Sequence, residues 1–425
     1  MTQADVLLSA AGRQLLSRLH GLEVTPDHAL SLAAELRADY PPDLVAAALT
    51  QQALRTAARE KFSRAADMLF TRAGLEQSSS ELTAAHCAHR FAGLDLLADL
   101  CVGIGGNLIA LAAAARQVIA VDADLDTLKF AVWNTTVYGA ADRVAPVCAD
   151  VQDLILSSRR GRAVAGVFID PARRTGGRRL RAGESQPPLD WCLALPQQVP
   201  RVCIKAAPGL PHALVPPGWE TEFVATGRAL KEALLWSPAF ATAQRRATIL
   251  PSGATLVDRP GPPVPVADPG QFLLDPNPAV TRAGLVQELG RELGGWQLDP
   301  MTAFLALNRS VSTPFARTLR VLESMPWHER HAAQKLRKLG VGAADIRRRG
   351  LAGDVEQIRR RLDLRGDRTA TIVLTRRSGR PWGLICEAVT AETDSDRAAG
   401  LTRPGDQAQD PTRHPDQAAG PDLAG

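Results

Sequence analysis

A doubly wound, mostly parallel α/β sheet is the fold class this sequence predicts, with a helical region before it and a small α+β unit behind it. Three observations predict it. Between Leu94 and Leu250, short apolar runs alternate with segments of helical periodicity across short links. Upstream of Leu94 the apolar spacing is helical. Downstream of a Pro- and Gly-rich stretch, two helical segments and two strands make a compact pattern.

Residues 1–92 read as the N-terminal helical region. Thr25-Pro26 and Asp39 to Pro42 look like helix starts, and Ser80 can cap a helix running to Arg90. Residues 93–250 carry the sheet. Its strands are expected at Leu96–Leu100, Val118–Val121, Val144–Cys148, Gly166–Ile169 and Val202–Ile204, with Glu222–Val224 and Ala247–Leu250 completing seven. Helices fit at Asn107–Ala115 and Leu125–Tyr138. Residues 251–316, with the run Arg259-Pro-Gly-Pro-Pro-Val-Pro265, read as a linker and connecting segment. Residues 317–390 form the small unit, with helices His331–Leu339 and Asp354–Leu362. Its strands Thr369–Thr375 and Trp382–Ala388 turn at Ser378-Gly379. The polar residues 391–425 lack large apolars and are expected to be disordered.

The chain of 425 residues is 45% hydrophobic and 22% charged, as expected of a chain with sizeable cores. It shows neither a signal peptide nor a membrane-length apolar run, so a cytoplasmic location is expected. The six cysteines form no C-x-x-C pair and the histidines do not cluster, which argues for buried thiols and against a metal site. The net charge of +5 is uneven. Arg317 to Arg380 holds 17 Arg and Lys against 7 Asp and Glu, so the rest of the chain is net acidic. A basic unit on an acidic body suggests a polyanionic partner, and a solvated arginine-rich surface is the alternative.

The chemistry lies at the strand ends. Gly103, Gly105 and Gly106 follow Asp99 at the end of the first strand, where a glycine-rich turn lets backbone approach a ligand. Leu108 stands where G-x-G-x-x-G would need its third glycine, so no pyrophosphate site is implied. Asp122 closes the second strand nineteen residues after Gly103, where a carboxylate can accept from both ribose hydroxyls. Asp150 closes the third, within reach of an adenine amino group. Three successive strand ends bearing a glycine loop, Asp and Asp point to a nucleoside ligand.

The run Asp99-Leu-Cys-Val-Gly-Ile-Gly-Gly-Asn107, with Val118-Ile-Ala-Val-Asp122 and Asn134-Thr-Thr-Val-Tyr-Gly-Ala-Ala-Asp142, resembles the trimethylguanosine synthase group of class I methyltransferases. The upstream helix Glu81-Leu-Thr-Ala-Ala-His-Cys-Ala-His-Arg90 is similar as well. This resemblance implies a seven-stranded Rossmann-like methyltransferase sheet. It also implies S-adenosyl-L-methionine as cofactor, bound by Asp99, Gly103, Gly105, Gly106, Asn107, Asp122 and Asp150.

The fourth strand ends in Asp170-Pro-Ala-Arg173. This resembles the D/N/S-P-P-aromatic tetrapeptide of nitrogen methyltransferases, with Ala172 for the second proline and Arg173 for the aromatic. Asp170, Pro171 and Arg173 are therefore the catalytic candidates, the arginine stacking on a base or pairing with phosphate. The tetrapeptide is also similar to that of 5-methyluridine RNA methyltransferases, in which a cysteine nucleophile follows. Cys203 falls within a strand here and lacks that context. Lys205 and Glu232, near later strand ends, either position substrate or form a surface ion pair.

Arg174, Arg178 and Arg179 crowd the expected substrate mouth, as backbone contacts for nucleic acid or as a solvated loop. The C-terminal unit resembles the THUMP-like domain found beside bacterial methyltransferases. Lys335, Arg337, Lys338, Arg347, Arg348, Arg359 and Arg360 would be its phosphate contacts. The function so implied is methylation of a base nitrogen in structured RNA, tRNA or rRNA. A non-catalytic RNA-binding or assembly factor that keeps the fold is the rival, and small-molecule methylation a third.

Overall fold

The structure, a computed structural model, describes residues 2–22, 24, 26–157, 163–172, 174–175, 178–179, 184–351 and 354–389. The expected Thr25 cap, Arg173 and the tail from 391 lie outside these residues. So do the side chains of Arg174, Arg178 and Arg179.

Parallel pairing begins where Val-, Ile- and Leu-rich runs are buried on both faces. The strands of the body are β1 (Leu96–Leu100), β2 (Gln117–Asp122), β3 (Val144–Cys148) and β4 (Gly166–Ile169). A short antiparallel pair, β5 (Arg174–Thr175) and β6 (Arg178–Arg179), stands apart. Then come β7 (Val202–Ala206), β8 (Glu220–Thr226), β9 (Ala229–Trp236), β10 (Arg245–Leu250) and β11 (Ala254–Val257). The large sheet runs β11-β10-β8-β9-β7-β4-β1-β2-β3. The doubly wound α/β class holds, but the sheet has nine strands where seven were expected. β9 is absent from the expected strands, although Glu232 is expected near a later strand end, and Lys231-Glu-Ala-Leu-Leu-Trp236 has good intrinsic helix propensity. It pairs antiparallel with both β7 and β8, and that pairing overrides propensity. β11 folds back on β10 through the turn at Gly253.

Helices cover one face of this sheet through Cys87, Phe91, Leu108, Leu111, Leu128 and Ala131. On the other face, Cys192, Leu195 and Val199 pack over Leu100, Val121 and Ile169. The expected starts at Pro42 and Ser80 are present: Pro42 opens the helix Pro42–Ala58, and Ser80 Oγ accepts from Thr83 N ahead of Glu81–His89.

The reading of residues 251–316 as a linker is corrected. This segment supplies β10's neighbour β11, then β12 (Phe272–Pro276), β13 (Trp296–Gln297) and β14 (Leu305–Leu307). These join β15 (Ala316–Pro326), β16 (Val341–Arg348), β17 (Arg368–Arg377) and β18 (Arg380–Ala388) in a second sheet, ordered β13-β14-β12-β15-β18-β17-β16. Proline content signals an absence of donors and says nothing about packing. The prolines here flank Val264, which is buried against Gly290 and Leu305. The helices Glu329–Lys338 and Val355–Leu362 cover one face of the second sheet through Leu336, Ile358 and Leu362. A shared core of Phe223, Ala247 and Ile249 with Leu274, Val280, Leu289 and Leu305 ties the two sheets together. No helix among the described residues is long and apolar enough to cross a membrane.

Candidate active site

β1, β2, β3 and β4 are parallel neighbours, so their C-terminal ends open on one edge of the sheet. A cleft of about 420 Å³ lies there, lined by Asp99, Gly103, Gly106, Asn107, Asp122, Asp150, Asp170 and Pro171 among others. That size suits a small-molecule site. Gly105 is not in its wall. Its φ is +85°, and a Cβ there would stand 3.1 Å from Ala131 Cα, so this glycine serves the turn and close helix packing. Gly103, at φ +56°, serves the ligand side of the same turn.

The electrostatics of the cleft ask for a ligand. Asp99 is buried, and neither of its carboxylate oxygens has a hydrogen-bond partner. Burial, with Asp170 and Asp122 nearby, pushes its carboxyl well above the usual carboxylate range. Asn107 Nδ2 is likewise buried without an acceptor. A buried acceptor and a buried donor left unmet are costly, and a bound molecule with a cationic donor and an acceptor would meet them. Asp122 Oδ2 accepts from Gly103 N and Oδ1 from Asp124 N, both at 2.9 Å, which fixes the carboxylate against the glycine turn. Burial still raises its pKa. Asp150 Oδ1 accepts from Gln152 N at 2.9 Å.

One wall of the cleft was not foreseen. Thr71, Gly74, Gln77 and Ser78, from the N-terminal region, close over the glycine loop. The contact is tight: a Cβ on Gly74 would lie 2.4 Å from Ile104 Cγ2. The buried extended segment beneath this wall has no strand partner, so side chains satisfy its backbone. Gln51 pairs with both N and O of Phe70, and Arg55 Nε donates to Met68 O. Asn134 accepts from Leu69 N and donates to Leu69 O and to Ile104 O in the glycine loop. Polar Gln51 and Asn134 on otherwise apolar helix faces were the available signal.

The far end of the cleft holds Asp170, Pro171 and Ala172, the last bridged to Gln186 by two backbone hydrogen bonds. The short antiparallel pair β5–β6, which carries Arg174, Arg178 and Arg179, lies between them in the chain. Lys205 and Glu232 are not a surface ion pair. They are 4% and 3% exposed, and Lys205 Nζ donates to Asp170 Oδ2 at 2.6 Å. Cys203 is fully buried with its Sγ 4.0 Å from Cys87 Sγ, and burial raises its pKa well above the usual thiol range. It cannot serve as a thiolate nucleophile.

The basic residues of the C-terminal unit are partly neutralised. Lys335 bonds Glu323, Arg337 faces Asp363, Arg347 pairs with Asp345 and Arg359 with Glu356. Arg348 is exposed, and exposed Lys338 and Arg360 make no ion pair among the described residues. Surface pairs of this kind contribute little to stability.

Comparison with known proteins agrees with this geometry. Family models match at residues 94–179 (RNA cap guanine-N2 methyltransferase), 316–388 (THUMP domain-like) and 1–58 (a domain of unknown function). A crystal structure from Porphyromonas gingivalis W83, described as a methyltransferase, superposes with a TM-score of 0.68 over 87% of this chain and 100% of that one. Its identity is 20%, so it supports the fold alone. Two uncharacterized S-adenosylmethionine-dependent methyltransferases of Mycobacterium tuberculosis, from strains CDC 1551 / Oshkosh and H37Rv, are 38% identical over 320 residues. The match spans 72% of this chain and 84% of theirs. With an acidic cleft at the strand ends that holds the unpartnered Asp99, and relatives this similar over most of their length, the chain belongs to the S-adenosylmethionine-dependent methyltransferases.

Proposed function

We propose that this methyltransferase acts on a base nitrogen in structured RNA, tRNA or rRNA. The observation that carries the reading is the continuity of one cleft, from the unpartnered Asp99 to Asp170 and Pro171. The matches to an RNA cap guanine-N2 methyltransferase model and a THUMP-like model support RNA as the substrate class. The surplus of arginine and lysine between Arg317 and Arg380 supports it too.

In this reading Asp99, Asn107, Asp122 and Asp150 hold the cofactor, with Gly103 and Gly106 giving it room and Gly105 shaping the turn. The cofactor supplies a methyl group on a positively charged sulfur. Asp170 accepts N–H hydrogens of the target amine and turns its lone pair toward that methyl, so catalysis is mostly positioning. The proton released from the nitrogen passes to Asp170 Oδ1 or to water at the mouth. Pro171 and the bridged Ala172 fix the backbone that faces the base, and Arg173 stacks on it. The target nucleotide must leave its stack to reach this depth. Arg174, Arg178 and Arg179 on the β5–β6 pair, with Lys338, Arg348 and Arg360 on the C-terminal unit, contact phosphates. Lys335, Arg337, Arg347 and Arg359 join them by exchanging their carboxylate partners.

Mass spectrometry of nucleosides from cells with and without the gene tests this. One methylated nucleoside should disappear, return with the wild-type chain, and fail to return with Asp170→Ala. An unchanged nucleoside profile overturns the RNA reading.

A further inference from the structure

Behind the acceptor end of the cleft lies a charged cluster of which the reading above uses only one member. Asp99, Asp170 and Lys205 each stand two residues after a side chain of the same core layer, namely Leu97, Phe168 and Cys203, so all three project from one face of the sheet. Lys205 pairs across the β7–β9 ladder with Leu234, which puts Glu232 on that face as its diagonal neighbour. Lys205 Nζ lies 2.6 Å from Asp170 Oδ2, while Asp170 itself keeps a side-chain exposure of 27%. Glu232 Oε2 accepts from Ser79 Oγ at 2.9 Å, and its Oε1 has no partner. A lysine this deep, bonded to a cleft carboxylate that also reaches solvent, is out of place as surface decoration.

We propose that Lys205 is a positioning residue for methyl transfer: its ammonium holds the Asp170 carboxylate in one orientation toward the acceptor, with Glu232 facing it from the adjacent strand. This rests on the reading of Asp170 as the group that holds the acceptor. A carboxylate can only accept, whereas a protonated carboxyl would donate to the lone pair that must face the methyl group. Asp99 from β1, Asp122 from β2 and Glu232 from β9 bring further carboxyls to the same strand ends. Burial raises both Asp99 and Glu232, Asp170 pushes them further, and Lys205 acts on each in the opposite direction. Among the described residues, other cations face the cluster from other elements. Lys61 is tied to the carbonyls of Leu75 and Ser78, His86 to Glu222, and Lys231 precedes Glu232 on β9. Lys205 alone of these is bonded to Asp170.

The test follows Asp170 directly, with full-length protein labelled at the aspartate carboxyl carbons with ¹³C. Its NMR resonance is identified by its loss in Asp170→Asn and titrated with pH. In Lys205→Met the midpoint should rise by about one pH unit or more. Lys205→Arg should restore it, and Glu232→Gln should lower it. Lys205→Gln serves as a second neutral variant, and thermal melting with S-adenosylhomocysteine binding establishes folding for each. On RNA from cells lacking the gene, the acid limb of kcat/KM should move with the midpoint, without change in cofactor affinity beyond a few-fold. Equal Asp170 midpoints in wild type and both neutral variants overturn the proposal. So does a loss of rate with an unmoved pH profile that Lys205→Arg fails to rescue. If the midpoint moves but no RNA is methylated by wild type, the RNA reading falls and the assignment of Lys205 stands.

Discussion

Asp99 shows what a single unpaired group demands. Its carboxyl is buried, without partners, and shifted upward by burial and by Asp170 and Asp122. A folded pKa above the unfolded one stabilises the protein below the unfolded value, and that contribution is lost as pH rises through the folded value. Asp99→Asn should therefore raise the melting temperature of the ligand-free protein at alkaline pH, read by thermal denaturation across a pH series. The same change should weaken S-adenosylmethionine binding by on the order of 100-fold, because a cationic ligand group loses its buried counter-charge. Calorimetry in buffers of different ionisation enthalpy should find a proton released as wild type binds, and none in the variant. Asp99, Asp122 and Asp150 were legible in the sequence because each stands at the end of an apolar run with a fixed period. Lys205 and Glu232 were visible as residues, but their burial was not, since whether a strand end points into the body depends on what covers it.

At the scale of elements, the helix Glu81–His89 is held to the sheet by ions. Arg90 forks onto Glu220 and lies over the Trp236 ring, while His86 bonds Glu222. Burial alone would raise the Glu222 pKa. The hydrogen bonds from His86 and Thr248, with Arg90 nearby, bring it down to about 2. A depressed carboxylate stabilises above its unfolded pKa and loses that stability as pH falls toward the folded value. Acid unfolding of wild type should thus steepen between about pH 4.5 and about pH 2. Glu222→Gln should flatten that region and lower stability at neutral pH, as followed by circular dichroism. A second element, the extended segment beneath the cleft wall, depends on Asn134. Asn134→Ala leaves Leu69 N, Leu69 O and Ile104 O without their buried partner, costing about 3 kcal/mol. The loss should appear as a lowered denaturant midpoint with an unchanged slope. Side chains that replace a missing strand leave no periodic trace, so this wall was read only as helix and connection.

Across the whole molecule, the basic C-terminal unit is built into the body. β15 takes β12 as its sheet neighbour on one side and β18 on the other. Buried Asp275 on β12 binds Arg228, in the turn between β8 and β9 of the large sheet, at 2.7 Å and Arg349 beyond β16 at 3.1 Å. A chain ending before Ala316 would expose the β12 edge and leave Asp275 short of a cation, so it should aggregate instead of yielding a soluble, S-adenosylmethionine-binding body. Gel filtration of the truncated protein checks this, and a monodisperse product would show the two parts to be separable.

Local order fixed much of what was read in advance. Five parallel strands, the capped helices, the glycine turn and the acidic strand ends follow from apolar period and backbone freedom, both of which act over a few residues. Tertiary structure decided the rest. It inserted β9 against its helical propensity, drew residues 251–316 into two sheets, and folded the N-terminal region over the cleft at the strand ends. It also buried Lys205 behind Asp170. Each of these depends on surfaces brought together from distant parts of the chain, where burial and pairing outweigh local preference.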